Sequence, residues 1–302
     1  MSDVNINVLT GDCREVLKTL PSEHFHTCVT SPPYYGLRDY NISSQTGTEE
    51  TPEKFTSTLV GVFRELHRVL REDGTVWLNL GDSYYNYRPG KGQSLSKQTV
   101  SNTNQDLPQE CARRGNKLDG LKEKDVIGIP WRVAFALQAD GWFLRQDIIW
   151  HKPNPMPESV QDRCTKSHEY IFLLTKSAHY SFDCESIQEV SEGGFRNKRS
   201  VWTVPIRPYK EAHFATFPPQ LIEPCIKAGS PEGGNVLDPF GGAGTTGLVA
   251  DRLGRSATLI ELNPEYIDII NDRIREDAGM FSKVTVDHET RAWSTSGSTT
   301  LQ

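Results

Sequence analysis

The sequence of 302 residues has no long apolar run, no closely spaced cysteines and no excess of basic residues. A membrane-spanning helix needs about 20 consecutive apolar residues, so none is expected here. The first five residues include neither a basic nor an apolar stretch, so a secretory signal is not expected either. We therefore expect a protein that does not enter a membrane and that stays in the cytoplasm.

The six cysteines, at positions 13, 28, 111, 164, 184 and 225, are scattered along the chain. No two of them have the Cys-x-x-Cys spacing that is typical of zinc sites, and no histidine cluster accompanies them. Scattered thiols of this kind fit a reducing compartment. We expect free thiols and no metal.

Acidic residues outnumber basic ones, 39 to 33, which gives a net charge of −6. Because nucleic acids are bound by positively charged surfaces, this balance argues against a partner of that class unless local segments are basic. Two polar segments are locally basic, residues 84–124 and residues 191–200. A solvated charged loop is the usual alternative for such a segment.

The rest of the chain alternates between helix-like and strand-like patterns. Apolar residues recur at helical spacing over residues 52–70, and a strand-like run follows at residues 75–80. The same reasoning predicts helices at 13–20, 130–139, 220–228, 245–253 and 264–275, and strands at 6–10, 26–30, 142–150, 171–174, 236–237 and 257–260. This alternation is typical of an α/β protein with a doubly wound, mostly parallel sheet.

A glycine-rich turn follows the predicted strand at residues 236–237. Residues 242–247 read Gly-Ala-Gly-Thr-Thr-Gly and fit the Gly-x-Gly-x-x-Gly pattern, and Glu261 ends the next strand. Glycines let the backbone approach a ligand closely, and a helix N-terminus attracts negative groups, so a nucleotide-type cofactor is expected. After this turn and the helix at 245–253, only one strand and one helix are predicted, so the order of the sheet is permuted relative to a dinucleotide-binding enzyme.

Two motifs carry a specific family resemblance. Residues 238–246 resemble the S-adenosylmethionine loop of DNA amino-methyltransferases, and residues 30–34, Thr-Ser-Pro-Pro-Tyr, resemble their catalytic motif. Residues 150–159, 168–170 and 212–218 also resemble segments of this family. Because the catalytic motif precedes the cofactor loop, the resemblance is to the permuted β class, whose fold is Rossmann-like. It implies methylation of cytosine N4 or adenine N6 in double-stranded DNA, by a prokaryotic or phage-encoded enzyme.

The candidate catalytic residues are Ser31, Pro32, Pro33 and Tyr34. An exocyclic base amine is a poor nucleophile, because its lone pair is delocalised into the ring. The Ser31 hydroxyl and the Pro32 carbonyl are placed to accept its two hydrogens, and the two prolines make the turn rigid. Tyr34 offers an aromatic face to a base rotated out of the double helix. Serine in place of aspartate favours cytosine, with adenine as the main alternative.

The resemblance also implies the cofactor contacts. Glu261 would accept hydrogen bonds from the ribose hydroxyls, and Asp12 would contact the adenine end, although Asp12 is also a candidate N-cap for the helix at 13–20. The other candidate cofactor residues are Phe214, Thr216, Pro218, Asp238, Pro239, Phe240, Gly242, Gly244, Thr245, Thr246 and Asn263.

The two basic segments are the candidate DNA contacts, since the rest of the chain is acidic. The candidate residues are Arg88, Lys91, Arg113, Arg114, Lys117, Arg196, Lys198 and Arg199. The methyltransferase domain would then have its catalytic half at 1–83, continue at 125–190, and have its cofactor half at 201–280. Residues 84–124 would be an inserted recognition element, 191–200 a short basic loop, and 281–302 a flexible tail.

Several alternatives stay open at this point. An NAD-dependent oxidoreductase would also use a glycine loop, but it has no use for a Ser-Pro-Pro-Tyr motif. Methylation of RNA or of a protein glutamine by similar chemistry fits the permuted order less well. A cytosine-C5 methyltransferase is rejected, because its Pro-Cys nucleophile would lie at the end of a catalytic strand, whereas Pro224-Cys225 lies inside a predicted helix. The resemblance leaves open a homodimer and a separately encoded restriction endonuclease.

Overall fold

The computed structural model describes residues 4–36, 45–85, 118, 120–207, 217–278 and 283–287. Helices and strands alternate along most of these residues. In chain order they are β1 (Asn5–Thr10), α1 (Cys13–Thr19), β2 (Phe25–Thr30), α2 (Pro52–Val69), β3 (Leu70–Leu80), α3 (Ile129–Ala139), β4 (Phe143–His151), β5 (His168–Thr175), β6 (Glu189–Ser191), β7 (Gly194–Arg196), β8 (Val201–Thr203), α4 (Pro219–Gly229), β9 (Asn235–Asp238), α5 (Thr245–Arg252), β10 (Ser256–Glu261), α6 (Pro264–Ala278) and β11 (Lys283–Asp287).

Nine of the described strands form one twisted sheet in the order β11-β1-β10-β9-β2-β3-β5-β4-β8. The six strands from β11 to β3 are parallel to one another. Strand β5 is antiparallel to both β3 and β4, and β8 is parallel to β4. The prediction of a doubly wound, mostly parallel sheet is therefore confirmed.

Each face of the sheet is covered by helices through its own hydrophobic core. Helices α1, α2 and α3 pack on one face, where Phe55, Leu59 and Phe63 meet Leu78 and other sheet residues. On the other face, α4, α5 and α6 contribute side chains to a second core that includes Val8, Trp77 and Leu259 of the sheet. Because both faces are covered, strands such as β9 and β10 are buried along most of their length. The helices hold the sheet as the middle of three layers.

The order of the parallel strands creates a crevice between β2 and β9. From β2 the chain proceeds to α2 and β3 on one side, whereas from β9 it proceeds to α5 and β10 on the other side and the other face. In open α/β sheets such a reversal is where ligands bind, beyond the carboxyl ends of the strands. The residues that follow β2 and β9 are the Ser-Pro-Pro-Tyr motif and the glycine turn. The fold therefore brings the two motifs of the sequence to one crevice.

Two details differ from the sequence expectations, and a third adds to the description of the segment 84–124. Residues 283–287 form β11, which pairs with β1 at the sheet edge, so the expectation of a flexible tail from residue 281 is wrong for this strand. Within residues 191–200, β7 pairs with β6 in a small hairpin. The two ends of the segment 84–124 are joined, because the Tyr85 N–H donates to the Asp125 carbonyl and the Lys124 N–H donates to the Tyr85 carbonyl, both at 2.8 Å.

No helix in the described part of the chain is both long and apolar enough to cross a membrane.

Candidate active site

The Ser-Pro-Pro-Tyr motif begins where β2 ends at the crevice. Thr30, the last residue of β2, is fully buried and donates a hydrogen bond to Asp238 Oδ1 at 2.7 Å. This bond ties the start of the motif to the end of β9. Pro32 is buried, while Ser31, Pro33 and Tyr34 are partly exposed. The strand end thus presents a hydroxyl and an aromatic ring from a turn that Thr30 anchors to β9.

Tyr34 is fixed by contacts at both ends of its side chain. Its hydroxyl donates to Glu169 Oε2 at 2.7 Å, lies 3.1 Å from Asn79 Oδ1, and accepts from Ser31 Oγ at 3.4 Å. Its ring lies against Gly81, where an added Cβ would be 2.5 Å from Tyr34 Cε2. Only glycine leaves room for the ring at that position. The orientation of Tyr34 is therefore set by β3 and β5 and not by its own motif.

The acceptor of the Tyr34 hydroxyl belongs to a compact polar group. Glu169 forms an ion pair with Lys152 through Oε1 and accepts from Asn79 Nδ2 at 3.2 Å through Oε2. The Lys152 ammonium lies over the Trp150 ring, 4.1 Å from its centroid. Asn79 also donates to the Tyr170 carbonyl at 3.1 Å. Both carboxylate oxygens of Glu169 thus have partners within this partly buried group, as low-dielectric surroundings require.

Four residues of this arrangement, Asn79, Gly81, Lys152 and Glu169, were missing from the sequence-based candidates. A signal existed for Asn79, since it is a single amide in the apolar strand of residues 75–80. Lys152 and Glu169 lie in segments that resemble the family, but no role was assigned to them. Gly81 carried no signal, because only the folded chain places the Tyr34 ring against it.

Asp238 holds the glycine turn in place from within. Its carboxylate is 1% exposed and accepts from Thr246 Oγ1 at 2.7 Å and from the Phe240 N–H at 3.1 Å, in addition to Thr30. Burial raises its pKa to about 6. The neighbouring hydroxyl of Thr245, also buried, accepts from Arg273 at 2.9 Å. Asp238, Thr245 and Thr246 thus support the turn through internal hydrogen bonds.

The glycines of the turn are needed for its shape. Gly242 has a φ of +51° and Gly244 a φ of +74°, which is the left-handed region that other residues rarely adopt. A Cβ at Gly244 would also lie 2.9 Å from the Ile270 side chain. Helix α5 then begins at Thr245 with its first N–H groups directed to the crevice, which is an arrangement that attracts negative or polar ligand groups.

Glu261 ends β10 beside the glycine turn. Its Oε2 accepts from the Gly242 N–H at 2.7 Å, and its Oε1 accepts from the Asn263 N–H at 2.8 Å. Burial raises the pKa of this carboxyl to about 7. Each oxygen keeps lone pairs beyond these bonds, so the carboxylate is able to accept from two adjacent hydroxyls of a sugar. Phe240, Gly242, Glu261 and Asn263 are the partly exposed members of the cofactor set at this edge.

Asp12 lies next to Glu261, since Thr10 pairs with Glu261 in the sheet and the Gly11 N–H donates to the Glu261 carbonyl at 2.9 Å. Its carboxylate caps α1 by accepting from the Arg14 N–H at 2.9 Å, and it forms an ion pair with the Arg14 side chain. The structure therefore shows the Asp12 side chain as the N-cap of α1. A cofactor contact would have to share this carboxylate with Arg14.

The other candidate residues are distributed as follows. Pro239 and Pro218 are buried, the latter immediately before α4, and Phe214 and Thr216 lie outside the described residues. Arg196, Lys198 and Arg199 each lie 3.5–3.7 Å from the Glu189 carboxylate. The candidate DNA contacts of the first basic segment, Arg88, Lys91, Arg113, Arg114 and Lys117, lie outside the described residues.

Two further observations bear on the alternatives. Cys225 lies inside α4, is fully buried, and has a thiol whose pKa is raised well above its usual value by that burial. A buried thiol that stays protonated does not act as an attacking thiolate, which agrees with the rejection of a cytosine-C5 mechanism. Among the described residues, no group of three or more His, Cys, Asp or Glu is placed to hold a metal ion.

The chemistry available at the crevice is therefore well defined. One side, from β9 and β10, offers a glycine turn, a helix start and a carboxylate with lone pairs free to accept from hydroxyls, which fits an adenosine-containing cofactor. The other side, from β2, offers a hydroxyl and an aromatic ring, which fits a planar base carrying an amine.

Comparison with known proteins agrees with this geometry. The family described as DNA methylase, which unites N6 and N4 methyltransferases, matches residues 25–272. The type II methyltransferase M.Cfr9I of Citrobacter freundii is 50% identical over 266 residues, which are 88% of this chain and 86% of that protein. M.SmaI of Serratia marcescens, also a type II methyltransferase, is 47% identical over 88% of this chain and 90% of its own length.

Solved structures show the same architecture. TTHA0409 of Thermus thermophilus, determined with bound S-adenosyl-L-methionine, has a TM-score of 0.63 at 27% identity, covering 93% of this chain and 99% of that one. PvuII DNA methyltransferase, which is cytosine-N4-specific, has a TM-score of 0.66 over 94% of this chain and 96% of its own. Its identity of 18% makes this second likeness one of fold alone.

Proposed function

The chain belongs to the N6/N4 DNA methylase family, and from that premise we propose that it methylates N4 of cytosine within a specific sequence of double-stranded DNA. It is a DNA methyltransferase that uses S-adenosyl-L-methionine as its methyl donor. The preference for cytosine over adenine, the residues of the site and the contacts to DNA are our proposal.

The observation that carries the proposal is Ser31 at the end of β2. In the family that the motif resembles, serine at this position favours cytosine over adenine. The Ser31 hydroxyl and the Pro32 carbonyl would accept the two hydrogens of the amine, and thereby direct its lone pair toward the methyl group. S-adenosyl-L-methionine, when bound, supplies that methyl group as an electrophile. No attacking thiolate is needed for this reaction, which is consistent with the buried position of Cys225.

The cofactor would be held by the β9 and β10 side of the crevice. Glu261 would accept from the ribose hydroxyls, and the glycine turn with the start of α5 would surround the methionine portion. The buried carboxylate of Asp238 supports this role indirectly, because it fixes the turn to the catalytic strand through Thr30. A dinucleotide could bind at the same turn, but the Ser-Pro-Pro-Tyr motif has no use in the hydride transfer of an NAD-dependent oxidoreductase.

The target base would be rotated out of the double helix and placed against Tyr34. A base inside the duplex cannot reach a hydroxyl that sits at a strand end between two helical layers. Tyr34 is suited to this because β3 and β5 fix its ring, so that stacking on it requires little further ordering.

Phosphate contacts would come from the two basic segments. Arg196, Lys198 and Arg199 share the single carboxylate of Glu189, so the group keeps a net positive charge. Residues 84–124 would supply further contacts and the readout of the bases. Since the relatives are type II methyltransferases, we propose that the protein acts beside a separately encoded restriction endonuclease; a homodimer is likewise a proposal.

The test is to express the protein in a host that lacks DNA methylation and to map modified bases by long-read sequencing. We expect N4-methylcytosine at every occurrence of one short sequence, and none in a matched culture that expresses Tyr34→Ala. N6-methyladenine at such a sequence would establish the adenine alternative. Unmodified DNA from cells that contain folded wild-type protein would refute the proposed function.

A further inference from the structure

A continuous line of hydrogen bonds leads from Ser31 to β5. The Ser31 hydroxyl donates to the Tyr34 hydroxyl at 3.4 Å, and the Tyr34 hydroxyl donates to Glu169 Oε2 at 2.7 Å. Both hydroxyls donate in the same direction, away from Ser31 and toward a carboxylate. Such a line is able to move a proton over its whole length by short steps at each oxygen.

The carboxylate at the end of this line is held and its charge is balanced. The side chains of Glu169 and Lys152 are 16% and 14% exposed, and the Lys152 ammonium pairs with Oε1, which leaves Oε2 to Tyr34 and Asn79. Among the described residues, further charged or titratable neighbours are Lys166 and His168, which precede Glu169 in the chain and interact with it electrostatically. Beyond them, His151 of β4 interacts electrostatically with His168, and Asp82 interacts electrostatically with Lys166.

Methylation of an exocyclic amine creates a need for a proton acceptor. When the amine nitrogen forms its bond to the methyl carbon, the electron pair of the broken S–C bond stays on sulfur, and the positive charge passes to the nitrogen. The nitrogen must then lose one of its protons. The Ser31 hydroxyl is a weak base, so it accepts this proton only if its own proton leaves at the same time.

We propose that Glu169 is the final proton acceptor of the reaction, reached from the target amine through Ser31 and Tyr34. The inference rests on the proposed function, because it takes Ser31 to be the group that meets the amine. In the step, the amine proton moves to Ser31 Oγ, the Ser31 proton moves to the Tyr34 oxygen, and the Tyr34 proton moves to Glu169 Oε2. The carboxylate becomes a neutral carboxylic acid, so the charge carried in with the methyl group is neutralised.

Two variants separate proton transfer from simple support. In Glu169→Gln the amide oxygen still accepts from the Tyr34 hydroxyl but is not a proton acceptor. In Tyr34→Phe the ring remains for stacking, but the line of hydrogen bonds from Ser31 to Glu169 is interrupted. The matched control is Glu72→Gln, because Glu72 forms a Glu–Lys pair with Lys176 at 2.9 Å, at the start of β3 and away from the crevice. The conservative variant is Glu169→Asp, which keeps a carboxylate.

The experiment measures single-turnover methyl transfer to a duplex that contains the mapped site, across a series of pH values and buffer concentrations. Glu169→Gln and Tyr34→Phe should lower the maximal rate about 100-fold, the scale of general base catalysis, and leave KM for DNA unchanged. Their rates should then rise with the concentration of buffer base, since the solvent must take the proton. Glu169→Asp should recover part of the rate, and Glu72→Gln should match the wild type.

A second readout needs no methyl donor. A fluorescent base placed beside the target reports rotation of the target out of the duplex, and both variants should keep the wild-type signal. Wild-type rates with an unchanged pH profile in either variant would overturn the inference. A loss of base rotation or of thermal stability that accounts for the slower rate would show Glu169 to be a structural support. That result would also overturn the inference. A wild-type protein that methylates no amine would instead refute the proposed function.

Discussion

The packing of Tyr34 on Gly81 gives a prediction whose size follows from the structure. A Cβ at position 81 would lie 2.5 Å from Tyr34 Cε2 and 3.0 Å from Cδ2, whereas carbon atoms in contact are about 3.5–4.0 Å apart. In Gly81→Ala the ring must therefore move by about 1 Å, which disturbs the 2.7 Å bond from its hydroxyl to Glu169. A displacement of about 1 Å at a reacting group lowers rates by about 100-fold.

Stability should change less, because Gly81 does not adopt a positive φ and overpacking costs about 1–3 kcal/mol. The assay compares single-turnover methyl transfer, calorimetric affinity for S-adenosylhomocysteine, and the free energy of unfolding. Gly61→Ala is the matched control, since a Cβ there meets nothing within 4 Å. We expect a loss of methyl transfer with unchanged cofactor affinity in Gly81→Ala only. Full activity in that variant would refute the role given to the ring position.

Three further predictions concern the cofactor, pH and DNA. Glu261→Ala should weaken S-adenosylhomocysteine binding by about 1.5–3 kcal/mol, because a charge-assisted hydrogen bond is removed. Calorimetry measures this affinity, and an unchanged value would show that another residue binds the ribose. Burial raises the pKa of Asp238 from 3.8 to about 6, so the folded state binds more protons than the unfolded state between these pH values. The protonated Asp238 carboxyl therefore contributes to the free energy of unfolding at low pH, and this contribution is lost as the pH rises through 6. Denaturant titrations at several pH values measure this change in the free energy of unfolding. In Asp238→Asn the change between low and neutral pH should be smaller than in the wild type by about 3 kcal/mol. The same pH dependence in both proteins would contradict the burial argument. Neutralising Arg196, Lys198 and Arg199 together should reduce the slope of log affinity against log salt by about 0.9 for each phosphate that the protein no longer neutralises, and a parental slope would exclude this segment from phosphate binding.

Much of the fold could be predicted from the sequence, because the periodic patterns are long and both sheet faces are buried. The strand that ends in Thr30 and the helix that begins at Thr245 both have strong local signals, a proline pair and a glycine turn. Strand β11 was missed, since a five-residue strand with lysine and aspartate at its ends has a weak pattern.

The site was predictable only in part, because its supports come from distant parts of the chain. Tyr34 and Glu169 are 135 residues apart, and their contact depends on the antiparallel placement of β5 beside β3. The sequence also placed Asp238 against the cofactor, whereas its hydrogen bonds show an internal support. Local motifs indicate which chemistry is present, and the sheet order determines which residues assist it.

We propose that the crevice between β2 and β9 transfers a methyl group to an exocyclic cytosine amine through the motif that contains Ser31 and Tyr34. The most direct test incubates the purified protein with duplex DNA and methyl-labelled S-adenosyl-L-methionine, digests the DNA, and identifies the labelled nucleoside by mass spectrometry. We expect labelled N4-methyldeoxycytidine with the wild type, and no label with Tyr34→Ala. Labelled N6-methyldeoxyadenosine would contradict the choice of base, and labelled 5-methyldeoxycytidine would contradict the amine chemistry itself.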